Sequence, residues 1–316
     1  MAQALSQAES AHPLAIGKPA RSRGLWSDAW RRLRKNRAAV IGLVYIAIMI
    51  LIAIAGPLIA PHDPNEIPPD AFANTPAFWQ EGGSMSYPLG TDSLARDELS
   101  RLIYGARVSM IVGIIPTIIV VLVGVSVGLV SGWLGGRWDN ILMRLVDVVY
   151  AFPSLLLFII FQASLRETWF GRSLSGLTLL FFAFAITGWN GLARLVRGQT
   201  LSLREKEFIV AARAVGNPAS RIIVKHILPN TLAPVIVSIS FAIPGYILAE
   251  ASLSFLGIGI RPPTASWGSM VFQSFPIVTF RPIFVIMPSL LIALIMISFA
   301  FVGDGLRDAL DPQSNR

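Results

Sequence analysis

Catalysis needs reactive side chains that can be brought together, and this sequence offers few. It has no cysteine, which removes thiol catalysis, disulfides and cysteine metal sites. Its three histidines, His12, His62 and His226, lie far apart along the chain. A phosphate-binding P-loop needs Gly-Lys followed by Ser or Thr. The only Gly-Lys pair, Gly17-Lys18, is followed by Pro19. The residues therefore predict a chain that is not an enzyme and holds no cofactor or metal of its own. Three ionisable residues stand out beside apolar runs. Arg144 and Asp147 are one helical turn apart, which suits a local salt bridge; the other reading places them on a path for a polar solute. Glu250 closes an apolar run, either as a functional charge or as an anchor bonded at a helix break.

The elements that hold these residues are apolar. Of 316 residues, 54% are hydrophobic and 14% are charged, against about 25% charged in an average soluble domain. Ala38–Ala60 carries no charge and is about 35 Å long as a helix, enough for a hydrocarbon core of about 30 Å. Val108–Leu134, Val148–Leu165, Ser173–Ala193, His226–Ala249 and Pro282–Gly303 are also charge-free, giving six candidate spans. Pro153 predicts a kink early in the third. Pro262–Phe280 also lacks charge, but its prolines and polar residues predict a loop or short helix at one surface.

Basic residues set the orientation. With six spans, 19 of the 26 lysines and arginines fall on the side of the two tails, the short loop with Arg137 and Arg144 and the loop after the fourth span, and seven on the other. The richer side is expected to be cytoplasmic. This clustering, rather than a continuous basic face, argues against nucleic acid as the partner of a chain with net charge +8. The first 37 residues lack the short apolar core of a cleaved signal peptide. The expected organisation is a cytoplasmic tail over 1–37, a first transmembrane helix over 38–60 and an extracytoplasmic loop over 61–106 ending in an amphipathic helix. A core of five further transmembrane helices follows over 107–303, with a cytoplasmic loop over 194–229, and then a cytoplasmic tail over 304–316. The fold class is an all-α polytopic membrane protein embedded in a lipid bilayer.

Two patterns remain. Gly124, Gly128, Gly132 and Gly136 recur every four residues, making a flat ridge for close helix approach. That ridge serves either internal packing or a surface that slides. The loop after the fourth span alternates apolar and basic residues. Glu205–Val215 reads as an amphipathic helix with Phe208, Ile209, Ala212 and Val215 on one face. Gly216 is expected to stop it, and Asn217 to cap a second helix with Pro218 at its first position, ending near Leu228 before Pro229.

Ala211-Ala212, Gly216 and Leu228-Pro229 fall where the EAA loop of ABC importer permeases has its Ala-Ala, Gly and Leu-Pro. Tyr87–Ser109, Leu253–Met270 and Gly303–Pro312 resemble the C-type permeases of dipeptide, oligopeptide and nickel importers. The resemblance departs in two places: Val210 stands where the motif has glutamate, and Ala95 where a glycine is usual. It implies a six-span type I importer fold and a heterodimer with a second, related permease. It also implies two cytoplasmic ATPase subunits, which would hold ATP and Mg, and an extracytoplasmic substrate-binding protein. Peptides are the first expected substrate, with nickel chelates, glutathione or opines as alternatives. Glu207, Val210, Ala211, Ala212, Arg213, Gly216, Asn217 and Pro218 would form the element that couples to the ATPase. Either Glu207 replaces the missing glutamate there, or docking is mainly apolar.

Overall fold

The computed structural model describes residues 25–310. Most of the amino-terminal tail, including Gly17-Lys18-Pro19, and residues 311–316 of the carboxy-terminal tail lie outside the described residues. Within them the chain is helical, with two isolated β-bridges in the 61–97 loop. Helix α1 (Leu25–Leu33) leads to α2 (Arg37–Ile59), whose start is capped by the Asn36 side chain accepting from the Ala39 amide. Helix α3 (Glu98–Leu134) follows the long loop, with Asp97 as its cap. Next come α4 (Gly136–Ala151), α5 (Ser154–Leu165) and the short α6 (Trp169–Arg172). Then come α7 (Leu177–Arg204), α8 (Glu207–Ala214), α9 (Ala219–Ile222) and α10 (Leu228–Phe255). The last two are α11 (Trp267–Ser274) and α12 (Ile283–Leu310).

Five helical stretches are long and apolar enough to cross a membrane, and α4 with α5 makes a sixth that is bent by 76°. The bend falls at Phe152-Pro153, where a proline breaks the hydrogen-bond ladder as its position predicts. The Pro262–Phe280 stretch holds only α11 and one 3-10 turn, in agreement with its reading as a non-spanning segment. The spans run alternately between two ends of the bundle. One end carries α8 and is called here the loop end. The other carries α11 and the 61–97 loop and is called the far end.

Three expectations change. The helix predicted before the second span is the opening of α3 itself. Its Glu98, Ser100 and Arg101 are buried rather than laid on an interface. The fourth span does not begin at Ser173: a 3-10 turn with left-handed Leu174 and Ser175 precedes α7. No break separates the loop from the fifth span. Residues 223–227 form a π-helical turn joining α9 to α10, so Ala219–Phe255 is one continuous helix, and Pro229 lies inside it, two residues after the π-helical turn.

The most extensive helix contact among the described residues is α3 on α7. A Cβ at Gly124 would lie 2.9 Å from the Trp189 carbonyl oxygen, at Gly128 2.6 Å from that of Ala193, and at Gly132 2.6 Å from Thr200 Cβ. These three glycines let the backbones meet. Gly136 does not belong to the ridge: a Cβ there meets nothing within 4 Å, and its φ of +54°, after +64° at Gly135, turns the chain from α3 into α4.

Candidate functional site

At the loop end, α8 stands on the bundle by one foot. Ile209 is fully buried and Ala212 half-buried, packed with Val146, Val196, Ile222 and Ile227. Phe208, Val210 and Val215 point away and are 47%, 54% and 84% exposed. The single apolar face expected from the sequence is thus divided between a foot and an exposed tip. Glu207, Ala211 and Arg213 share the exposed surface. Gly216 stops α8 in the left-handed region, φ +81°, with its amide bonded to the Arg213 carbonyl at 2.9 Å. Asn217 does not cap the next helix. Its amide and its Nδ2 both donate to the Ala212 carbonyl, at 3.2 and 3.1 Å, closing the end of α8 instead. Pro218 occupies the cap position of α9.

Ion pairs tie this corner to the helices around it. Arg197 on α7 holds Asp139 on α4 in a two-point contact at 2.6 Å, and Ser131 on α3 donates to the same carboxylate. Arg204 reaches the last carbonyls of α3, at Gly132 and Trp133, where a helix end favours a cation. The guanidinium of Arg213 lies 4.4 Å above the Trp133 ring. The expected Arg144–Asp147 pair does not form. Asp147 is bound by Arg194 of α7, whose guanidinium also covers Tyr150 at 4.7 Å. The i,i+3 spacing placed Arg144 and Asp147 near each other, but α7 brings a cation to Asp147 from 47 residues away.

Between α5, α7 and α10 lies a cavity of about 550 Å³ lined by residues such as Phe158, Phe184, Thr187, Gly188, Tyr246 and Ser252. No charged side chain lines it. Arg144, Asp147 and Glu250, the candidates for a solute path, are all absent from its wall. Glu250 is fully buried between α10 and α11, where its Oε1 accepts hydrogen bonds of 2.7 Å from both Ser254 and Ser266. Of its two readings, the structure gives it the anchoring contacts.

The far end is closed by charge. Arg101 is 1% exposed; its Nε is 3.4 Å from Asp92, and its Nη atoms donate to the Pro64 carbonyl at 3.2 Å and to Gln273 at 3.0 Å. Arg96 binds the same Asp92 and the same Gln273 oxygen. Tyr87 donates to Asp70, and burial, reinforced by that carboxylate, pushes its hydroxyl up to about 12. Arg172 and Arg261 hold the exposed Glu167 below the usual carboxylate range. Sequence reasoning missed most of these residues; the bonds of Arg101 and Arg96 to Gln273 and of Arg261 to Glu167 join segments distant in the chain.

Residues 124–316 match the family described as binding-protein-dependent transport system inner membrane component, and residues 24–77 match the N-terminal transmembrane domain of oligopeptide transport permease C. An oligopeptide transport system permease protein of Bacillus subtilis is 38% identical over 294 residues, covering 93% of this chain and 91% of its own. A dipeptide transport system permease protein of Haemophilus influenzae is 40% identical over 286 residues, covering 90% and 94%. A glutathione transport system permease protein of Escherichia coli is 38% identical over 297 residues, covering 94% and 93%. The likeness runs through the bundle, the loop end and the far end, and the chain belongs to the binding-protein-dependent transport system inner membrane components, the multi-pass permeases.

Proposed function

We propose that this permease is one of two related membrane halves of an ATP-driven importer for peptides. A separate extracytoplasmic binding protein delivers the peptide, and two ATPase subunits holding ATP and Mg dock at the loop end. The observation that carries the reading is α8. A helix of eight residues buries Ile209 in the bundle and offers Phe208, Val210 and Val215 to a partner. With Val210 on that surface, docking is mainly apolar, and Arg213 and Glu207 flank it. The basic asymmetry of 19 to seven supports a cytoplasmic loop end with both tails on that side, in a bacterial inner membrane.

The mechanism follows from the connections. ATP binding draws the ATPases together and carries the tip of α8 with them. Ile209 and the turn at Gly216 pass the displacement to the helix Ala219–Phe255, while Arg197, Arg204 and Arg213 pass it to α3 and α4. The bundle is biased toward the state open at the far end, peptide enters the pathway, and hydrolysis restores the state open at the loop end. ATP shifts the equilibrium only through its different affinity for the two states. The uncharged wall between α5, α7 and α10 suits peptides of varied side chain, so selection rests with the binding protein. The similarity to oligopeptide, dipeptide and glutathione permeases supports a peptide-like solute.

Purification of the membrane complex tests this. A stable assembly with ATPase subunits that imports labelled peptide into vesicles, only with ATP and binding protein, is the expected result. A lone chain that transports without ATP overturns it.

A further inference from the structure

At the far end, α11 rests directly on α10. A Cβ on Gly268 would strike Ala251, so nothing but backbone separates the two helices there. Trp267 anchors the start of α11 on α3, donating from Nε1 to the Leu102 carbonyl at 3.2 Å. Glu250 is the polar link from α10. Its Oε1 takes the hydroxyl of Ser266, the residue that also caps α11 through a reciprocal pair with Ser269. Its Oε2 is buried and has no hydrogen-bond partner among the described residues. An anchor built only for rigidity would engage both oxygens, since an unpaired buried acceptor is costly. A second arrangement, in which the other oxygen takes a donor, accounts for keeping it. There is also room for one. A cavity of about 390 Å³ touches α11 at Gly268 and Val271, and another of about 360 Å³ touches it at Ser269, Phe272 and Gln273.

We infer that Glu250 is a positioning residue that makes α11 follow α10, so that the segment closing the far end moves with the loop end. The bond to Ser266 is the point of transfer. The helix that ends beside Glu250 begins at Ala219, one turn past the Gly216 corner, so one rod spans from α8 to α11. This rests on the proposed function, because it needs α8 to receive the ATPase stroke.

The test uses the whole complex in vesicles, with a single cysteine at the exposed Thr279, just beyond α11, as reporter in a chain that has no native cysteine. In Thr279→Cys alone, maleimide labelling should differ between the nucleotide-free and the ATP-with-vanadate states. Adding Glu250→Ala should abolish that difference and lower peptide imported per ATP about tenfold, with ATP hydrolysis maintained. Glu250→Gln keeps an acceptor at Oε1 and should restore most of the coupling. If Glu250→Ala fails to assemble, Ser266→Ala removes the α11 side of the bond and should reduce both readouts. A state-dependent difference and normal import in Glu250→Ala, or in Ser266→Ala where the former does not assemble, would overturn the inference and leave the proposed function standing. A Thr279→Cys complex that binds ATPases yet never imports peptide would overturn the proposed function itself.

Discussion

The two ends of the bundle use the same residue types in opposite ways. At the loop end, Arg194 and Asp147 are 47% and 62% exposed, and Phe208 and Val210 of α8 and Val215 just beyond it face outward. At the far end, Arg96, Arg101 and Asp92 are nearly sealed, 5%, 1% and 5% exposed. An exposed ion pair is screened and contributes little. A buried pair contributes modestly to net stability but is severe to break, because the survivor is left charged in a poor solvent. The contrast sets an end with exposed charges and exposed apolar side chains against an end whose geometry is fixed by buried charges that tolerate few arrangements.

The contrast can be broken by experiment. The largest effect should come from Arg101→Met, which leaves Asp92 and Gln273 to Arg96 alone and removes the Arg101 donor from the Pro64 carbonyl. We expect a loss of about 2–3 kcal/mol, read as a lower thermal unfolding midpoint of the purified complex. Gly216→Val should cost about 1–2 kcal/mol, because φ +81° opposes a β-branched side chain. It should uncouple uptake from ATP hydrolysis about tenfold while leaving insertion intact; normal uptake would show that the corner at α8 transmits nothing. Ala95→Gly should stabilise the far end by about 0.4–1 kcal/mol, since Ala95 sits at φ +61°, where a residue with a Cβ is strained. Slower proteolysis of the 61–97 loop would register it. Arg194→Ala should change stability by less than about 1 kcal/mol. If Arg194→Ala and Arg101→Met destabilise equally, the distinction between the ends fails.

Much of the frame was legible because lipid imposes a one-dimensional rule. Charge-free runs located the spans, Pro153 the bend, and Gly216 the stop of α8. What escaped is what three dimensions decide. Nothing near Asp147 announces Arg194, and nothing near Asp139 announces Arg197, since facing helices supply both. Helical periodicity put Phe208, Ile209, Ala212 and Val215 on one face. It could not show that α4 and α7 cover only Ile209 and Ala212. Proline at 229 looked like a boundary, but the helix runs through it behind a π-helical turn at 223–227. Glu250 was conspicuous as a lone charge, while its partner Ser266 is an ordinary serine 16 residues on.

Along α8, residues that face the bundle and residues that face outward alternate within two turns. Ile209 and Ala212 answer to the permease's own core, while Phe208, Val210 and Val215 do not pack against it. The two sets can therefore diverge independently. A lineage can exchange the tip while inheriting the foot unchanged.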